Sequence, residues 1–456
     1  MLAETESFEP VTVKPIQRNA SAFSVLRKVM QNPVEGWPDS LYEDFIFEKQ
    51  ILGNRVVLTS DPEIVKGVLL SQQSDFPKPE IAQSIMSRSI GKGLLTAEGA
   101  EWKFLRKATA PVFQRKSLSN LLPHMIAVGK EVAQQFRSNP GEIDVLPSIS
   151  KATFETIANT LLSGEEDNLD YERISNDVHK LLAFVAKVDP LDLFEATRNL
   201  PKPWARAGVK AAGRLREDAM KALSNRRKSD NATDDLLSLL LAAQDPETGK
   251  KLSEIELRDN IVTFIGAGRE TTSHAIAWTF YLLANSPFWQ DQLVDELSEV
   301  LGEAPLTADN LGRLKKHEMV LKEAMRLYPP CQGMHRVAAA DVEINGLKLR
   351  KGDMVFLATY PMHRHKKLWE RPNHFEPRRF DAQRMSSYHR FQYIPFSAGP
   401  RICSGLKYAM FEATAILASV VRTVRLAPVE GFVPYPNSRI TLHAEGGMKL
   451  RVSPRH

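Results

Sequence analysis

The feature that most constrains this chain is a helical run from Ser253 to Ser286 that no proline interrupts before Pro287. Ser253 followed three residues later by Glu256 has the form of a capping box, a helix start signal. Apolar residues then recur at Leu257, Ile261, Phe264 and Ile265, and later at Ile276, Trp278, Leu282 and Leu283. At 1.5 Å per residue, a continuous helix of roughly 33 residues is about 50 Å long, enough to cross an entire domain. Its middle reads Gly266-Ala267-Gly268-Arg269-Glu270-Thr271-Thr272, where each glycine costs about 1 kcal/mol against alanine. That weakness has two readings: close packing on a neighbouring helix, or room for a bulky flat ligand with a local opening of the helix ladder. Periodicity alone leaves both open.

The rest of the sequence predicts a mostly α fold with small antiparallel β-sheets. Helical patterning dominates residues 98–330 and 404–425, and the β-rich parts lie near 40–75 and 335–380. Ile51 to Thr59 reads as a hairpin around Gly53-Asn54. Asn345-Gly346, between Val342/Ile344 and Leu347/Leu349, reads as a type I′ hairpin. Asn437 to Val452 suggests a third strand pair, and the polar stretch Arg226 to Asp235 a surface loop. A length of 456 residues allows about three domains or one large fold. With no internal repeat and no Gly/Ser or Pro linker, residues 1–456 are expected to form a single domain.

Composition removes several function classes. With two cysteines, Cys331 and Cys403, the chain cannot build a disulfide scaffold or a Cys-rich zinc or iron–sulfur site, and this usage suits a reducing cytosol. Residues 1–20 carry charge and proline, and no apolar run reaches the length of a membrane span, so a soluble cytoplasmic protein is expected. The net charge of +5 is a weak argument for nucleic acid, which is not expected as a partner, and fits an acidic protein partner equally well. GxxxxGK[ST], HExxH and GxSxG are all missing, and the glycines of the long helix lack both the third glycine and the preceding strand of a dinucleotide fingerprint. His363 and His365, without further ligands, read as structural rather than metal-binding.

Chemistry concentrates in Phe396-Ser397-Ala398-Gly399-Pro400-Arg401-Ile402-Cys403-Ser404-Gly405. An amphipathic helix follows, with Leu406, Met410, Ala413, Leu417 and Val421 on one face. Cys403 thus sits at a helix N-terminus, two residues from Arg401, and both features favour thiolate over thiol. Such a sulfur is suited to bind a metal or attack an electrophile. A lone cysteine is more often a small buried hydrophobe, so the surrounding pattern decides.

That pattern, Phe-x-x-Gly-x-Arg-x-Cys-x-Gly, resembles the haem-binding loop of the cytochrome P450 superfamily, and four further motifs fall in that family's order. Glu323-Ala324-Met325-Arg326 matches Glu-x-x-Arg. Pro372 to Phe380 matches Pro-x-x-Phe-x-Pro-x-Arg-Phe, with Arg378 in place of the usual acid. Trp102 and Arg106 match Trp-x-x-x-Arg, and Ala267 to Thr272 resembles the oxygen-activation segment. The resemblance, covering Trp102 to the C-terminus, implies a cytochrome P450 fold with the long central helix over haem and the cysteine loop beneath.

The resemblance also implies the site. Cys403 is the proximal ligand of haem b (heme, iron protoporphyrin IX), in a loop shared with Phe396 and Gly405. Trp102, Arg106, Arg336 and Arg401, with His335 as a weaker candidate, meet the propionates, and Ala267 lies against the cofactor. Glu323, Arg326 and Arg379 form a structural lock, without every accessory salt bridge because of Arg378. Glu270 and Thr271 manage protons on the distal side. The implied activity is a monooxygenase inserting one oxygen atom from O2 into an apolar substrate. Electrons come ultimately from NAD(P)H through a ferredoxin or flavodoxin-type partner and its reductase, since little chain follows Cys403 to house a fused reductase. A basic face of Arg401, Lys407, Arg422 and Arg425 is expected to meet that partner, and the protein is expected to be a monomer. Segments 81–95, 181–205, 331–334 and 442–448, with Phe264 and Ala267, are expected around the substrate, and Cys331 there as a pocket or packing residue. Two alternatives stand beside this reading: a haem-thiolate isomerase or dehydratase, and a haem-binding sensor without turnover.

Overall fold

The computed structural model describes residues 8–51, 53–162, 170–186, 203–228 and 235–455. The helices that position the site are, in chain order, α1 (Gly99–Thr109), α2 (Leu122–Ser138), α3 (Leu146–Leu161), α4 (Glu254–Ala284), α5 (Pro287–Leu301), α6 (Lys315–Leu327) and α7 (Leu406–Thr423). The long helix is α4, and its 31 residues are continuous. Its capping box is formed: the Glu256 N–H donates to Ser253 Oγ at 3.3 Å and the Ser253 N–H to Glu256 Oε2 at 2.7 Å. Such a cap contributes about 1 kcal/mol.

The helix ladder runs unbroken through the weak middle of α4, so no local opening forms. A Cβ on Gly268 would stand 3.4 Å from Ile157 of α3, and one on Gly266 3.9 Å from Leu182; both are ordinary contact distances, so packing requires neither glycine. Helices α2, α3, α4 and α7 pack against one another as the core bundle. Beside them Trp278 stacks on Tyr328 with centroids 3.8 Å apart, both side chains fully buried. Aromatic pairs of this kind are worth about 0.5–1.5 kcal/mol beyond their burial.

Both expected hairpins form. The first is longer than the sequence suggested, pairing Ile46–Ile51 with Asn54–Thr59. The second pairs Val342–Ile344 with Leu347–Leu349, and Asn345 and Gly346 both adopt positive φ, as a type I′ turn requires. The four-stranded sheet contains one parallel pair, Asn54–Thr59 against Met354–Leu357, made possible by the long helical crossover between them. The C-terminal strands are more than one pair. Tyr435–Ser438 pairs with Leu442–Glu445, while Lys449–Pro454 lies between Gly141–Asp144 and Val424–Pro428. Arg226 to Lys228 end a helix that begins at Arg206, so the expected loop starts later than Arg226, and residues 229–234 lie outside the described residues.

Candidate active site

The cysteine loop is held from several sides. The Cys403 N–H donates to the Phe396 carbonyl at 2.9 Å, folding the loop back on itself. Gly399 has φ +67°, and a Cβ there would lie 2.0 Å from the Leu69 carbonyl oxygen, so only glycine fits. Helix α7 starts directly after Gly405, burying Ala413, Leu417 and Val421. Cys403 keeps accessible surface, yet burial is the largest influence on its thiol, so it borders an internal space rather than the outer surface. Ala267 is likewise exposed in the middle of the otherwise largely buried α4.

The sequence predicted a thiol biased toward thiolate. In the structure burial pushes the Cys403 thiol above its ordinary value. The amides of Gly405 and Leu406 and the Arg106 guanidinium pull the other way without cancelling it. A thiolate at this position therefore needs one more positive partner, which is what a bound metal supplies.

Trp102 and Arg106 of α1 both reach the cysteine loop. Arg106 donates to the Ser404 hydroxyl, and the Arg401 guanidinium lies over the Trp102 ring at 4.1 Å from its centroid. Arg401 also pairs with Glu98 at 2.5 Å, and Lys78 approaches the same carboxylate at 3.6 Å. Arg336 is buried and donates to the His335 carbonyl at 2.7 Å. Burial and the repulsion of Arg401 and Arg336 lower the Lys78 ammonium to about 8, against the pull of Glu98. Burial, with Arg336 and Lys78, also lowers His335, which favours a neutral imidazole. Cationic Lys78, Arg336 and Arg401 thus crowd one carboxylate, Glu98, while Arg106 faces Cys403, and the excess positive charge suits a dianionic partner. A soft sulfur ligand, an internal space and this excess of cations together fit haem b with its two propionates.

Glu323, Arg326 and Arg379 come together. Arg326 Nε and Nη2 donate to the Glu323 carboxylate at 2.7 and 2.8 Å. The remaining guanidinium hydrogens reach the carbonyls of His363, Pro372 and His374. Arg379 stands 3.5 Å from Glu323, and the Glu376 N–H donates to the same carboxylate at 2.8 Å. Arg378, in the place of an acid, lies over the rings of Phe288 and Trp289.

On α4 the Thr271 hydroxyl donates to the Ala267 carbonyl at 2.8 Å, the ordinary i−4 bond of a helical threonine. Glu270 accepts from the Thr441 hydroxyl at 3.4 Å. His363 and His365 are structural: both are buried, and no cluster of metal-ligating side chains occurs among the described residues. Cys331 keeps accessible surface and donates to the Gly333 carbonyl at 3.2 Å. Within 442–448, Leu442 and Ala444 of the strand paired with Tyr435–Ser438 are buried in the core, as is Met448, which lies between strands. Of segment 181–205, residues 187–202 lie outside the described residues.

The expected basic face does not form as one surface. Arg401 is turned inward onto Glu98, Arg425 pairs with Asp291 at 3.0 Å, and Arg422 sits at the opposite end of α7 from Lys407. Lys407 alone of the four is exposed near the cysteine end. Sequence reasoning missed Lys78 and Glu98, which lie in a loop and at a helix cap and carry no periodic or motif signal, and it gave Ser404, inside the cysteine loop, no role. It also missed Glu412 of α7, whose carboxyl burial pushes well up, beside the hydroxyls of Thr156 and Thr272.

The family model described as Cytochrome P450 matches residues 39–448. The chain is 30% identical over 409 residues to a cytokinin hydroxylase of Arabidopsis thaliana, covering 88% of this chain and 79% of that protein. It is also 30% identical over 395 residues to the cyclooctat-9-en-7-ol 5-monooxygenase of Streptomyces melanosporofaciens, covering 85% and 83%. The crystal structure of the cytochrome P450DA haem domain superimposes with a TM-score of 0.85 at 24% identity, covering 98% of this chain and 99% of that one. The chain belongs to the cytochrome P450 family.

Proposed function

We propose that this cytochrome P450 is a haem-thiolate monooxygenase that inserts one oxygen atom from O2 into an apolar organic substrate. The observation that carries the reading is the placement of Cys403, bordering an internal space at the head of α7, beside a cation cluster that one carboxylate does not neutralise. Relatives named as a hydroxylase and a monooxygenase support the same reaction class.

Cys403 would ligate the iron, and Trp102, Lys78, Arg106, Arg336 and Arg401 would hold the propionates. When bound, haem b supplies O2 reduction chemistry, which a thiolate ligand biases toward O–O cleavage. The residues of this chain do the rest. The Gly405 and Leu406 amides and Arg106 stabilise negative charge on the Cys403 sulfur. Thr271 holds a hydroxyl proton at the exposed face of α4 and can exchange its Ala267 acceptor for another oxygen. Glu270, which accepts from the Thr441 hydroxyl, would relay protons toward Thr271. Phe264 and Met334, in segments expected around the substrate, carry apolar side chains that would favour a substrate of low polarity.

Electrons would come from NAD(P)H through a separate acidic ferredoxin or flavodoxin, for which Lys407 is the exposed contact. The test is twofold. The reduced protein with carbon monoxide should give the red-shifted Soret band of thiolate ligation, and Cys403→His should retain haem and lose that band. With a surrogate redox system and an apolar compound that displaces the ferric water ligand, NAD(P)H, O2 and hydroxylated product should be linked one to one. Turnover of such a compound without O2 consumption would instead identify an isomerase or dehydratase.

A further inference from the structure

Far from the cysteine loop, helices α2, α5 and α7 enclose a cleft of about 300 Å³. Its floor is apolar: Leu297 and Leu301 of α5 and Ala418 of α7 are buried there. Its rim is cationic. Lys130 and Arg137 of α2 stand seven residues apart, so both project from one helix face, and Arg422 of α7 also lines the cleft. All three are exposed, none is ion-paired among the described residues, and no carboxylate lines the cleft.

Three like charges around one apolar depression repel one another, and no carboxylate among the described residues lining the cleft offsets that repulsion. A site with this division of chemistry recognises a molecule divided the same way. We infer that the cleft binds a small organic anion with an apolar body, a medium-chain or aryl carboxylate. Its carboxylate would sit among Lys130, Arg137 and Arg422 and its hydrocarbon part on Leu297, Leu301 and Ala418. The volume lies at the lower end of the range for ligand sites, which limits the occupant to a compact molecule. Because α7 begins next to Cys403 and ends at this cleft, an occupant would tie the far end of that helix to α2 and α5.

The test uses the haem-loaded protein saturated with an iron-ligating azole, so that binding at the cysteine side is blocked. Decanoate is titrated calorimetrically, with 1-decanol and inorganic phosphate as comparisons, and hydrogen exchange is followed at the C-terminal ends of α2 and α7. Decanoate should bind at one site, protect those two helix ends, and bind more tightly than either comparison. Each of Lys130→Gln, Arg137→Gln and Arg422→Gln should weaken it about five-fold, and the triple variant about a hundredfold, with an unchanged Soret spectrum. Failure of decanoate to bind, undiminished binding to the triple variant, or equal binding of decanol or phosphate would each overturn the assignment.

Discussion

Arg326 holds Glu323 through a two-pronged pair of 2.7 and 2.8 Å in which both side chains are completely buried. The same guanidinium ties down the carbonyls of His363, Pro372 and His374, so one side chain fixes both a helix and the loop that passes over it. Removing either partner strands a buried charge. Arg326→Leu should destabilise the protein by about 3–5 kcal/mol, read from urea unfolding, and should reduce haem incorporation during expression. A loss under about 1 kcal/mol would mean that Arg379 and the Glu376 amide suffice to hold Glu323.

His363 gives the pH dependence of that region. Burial, with Arg326 and Arg364 nearby, lowers its imidazole to about 3, and its Nε2 accepts the Ile394 N–H at 3.0 Å. Between pH 6.5 and about 3 the unfolded chain therefore takes up a proton that the folded chain does not. Stability should fall as pH drops below 6.5, by up to about 1.4 kcal/mol per pH unit from this residue alone. His363→Gln keeps an acceptor and cannot titrate, so its unfolding free energy should decline less steeply between pH 6 and 4. Parallel declines in the two proteins would refute the assignment.

Thr271→Ala should separate reductant use from product formation. The hydroxyl makes one bond, to its own helix turn at 2.8 Å, so its loss leaves the fold intact. A positioned proton donor commonly contributes at least about a hundredfold to a step, and product per NAD(P)H should drop severely while NAD(P)H oxidation continues. Thr271→Ser should restore most of the coupling. Unchanged coupling in the alanine variant would confine Thr271 to a structural role.

Lys407→Glu should slow reduction by an acidic ferredoxin about tenfold at low ionic strength, with the difference shrinking as salt rises. Substrate affinity, measured from the ferric Soret shift, should not change. The same substitution at Arg425, already paired with Asp291, should have little effect on reduction.

What could be read from the sequence was whatever short-range spacing determines. The capping box at Ser253, the type I′ turn at Asn345-Gly346 and the pairing of Glu323 with Arg326 are all local, and each formed as its spacing implied. The failures are of two kinds. Proximity along the chain was mistaken for a shared surface, as with Arg401, Arg422 and Arg425, because helix length and ion pairs with Glu98 and Asp291 separate them. Burial was also underestimated: a helix N-terminus lowers a thiol, but at Cys403 the surrounding protein outweighs it. Lys78 and Glu98 were invisible because no periodicity links them to Arg401, although the folded chain puts all three in one electrostatic unit.

The close approach of Gly399 to the Leu69 carbonyl means that the Cys403 loop is shaped by residues from the opposite end of the polypeptide. A contact between residues so far apart in sequence closes a long loop, which is slow, and it can form only once most of the chain has been synthesised. With Cys403 as the proposed iron ligand, iron capture would report on the completeness of folding. A truncated product lacking the segment around Leu69 would keep every cation of α1 and the sulfur itself, yet should emerge from the ribosome unable to assemble its prosthetic group.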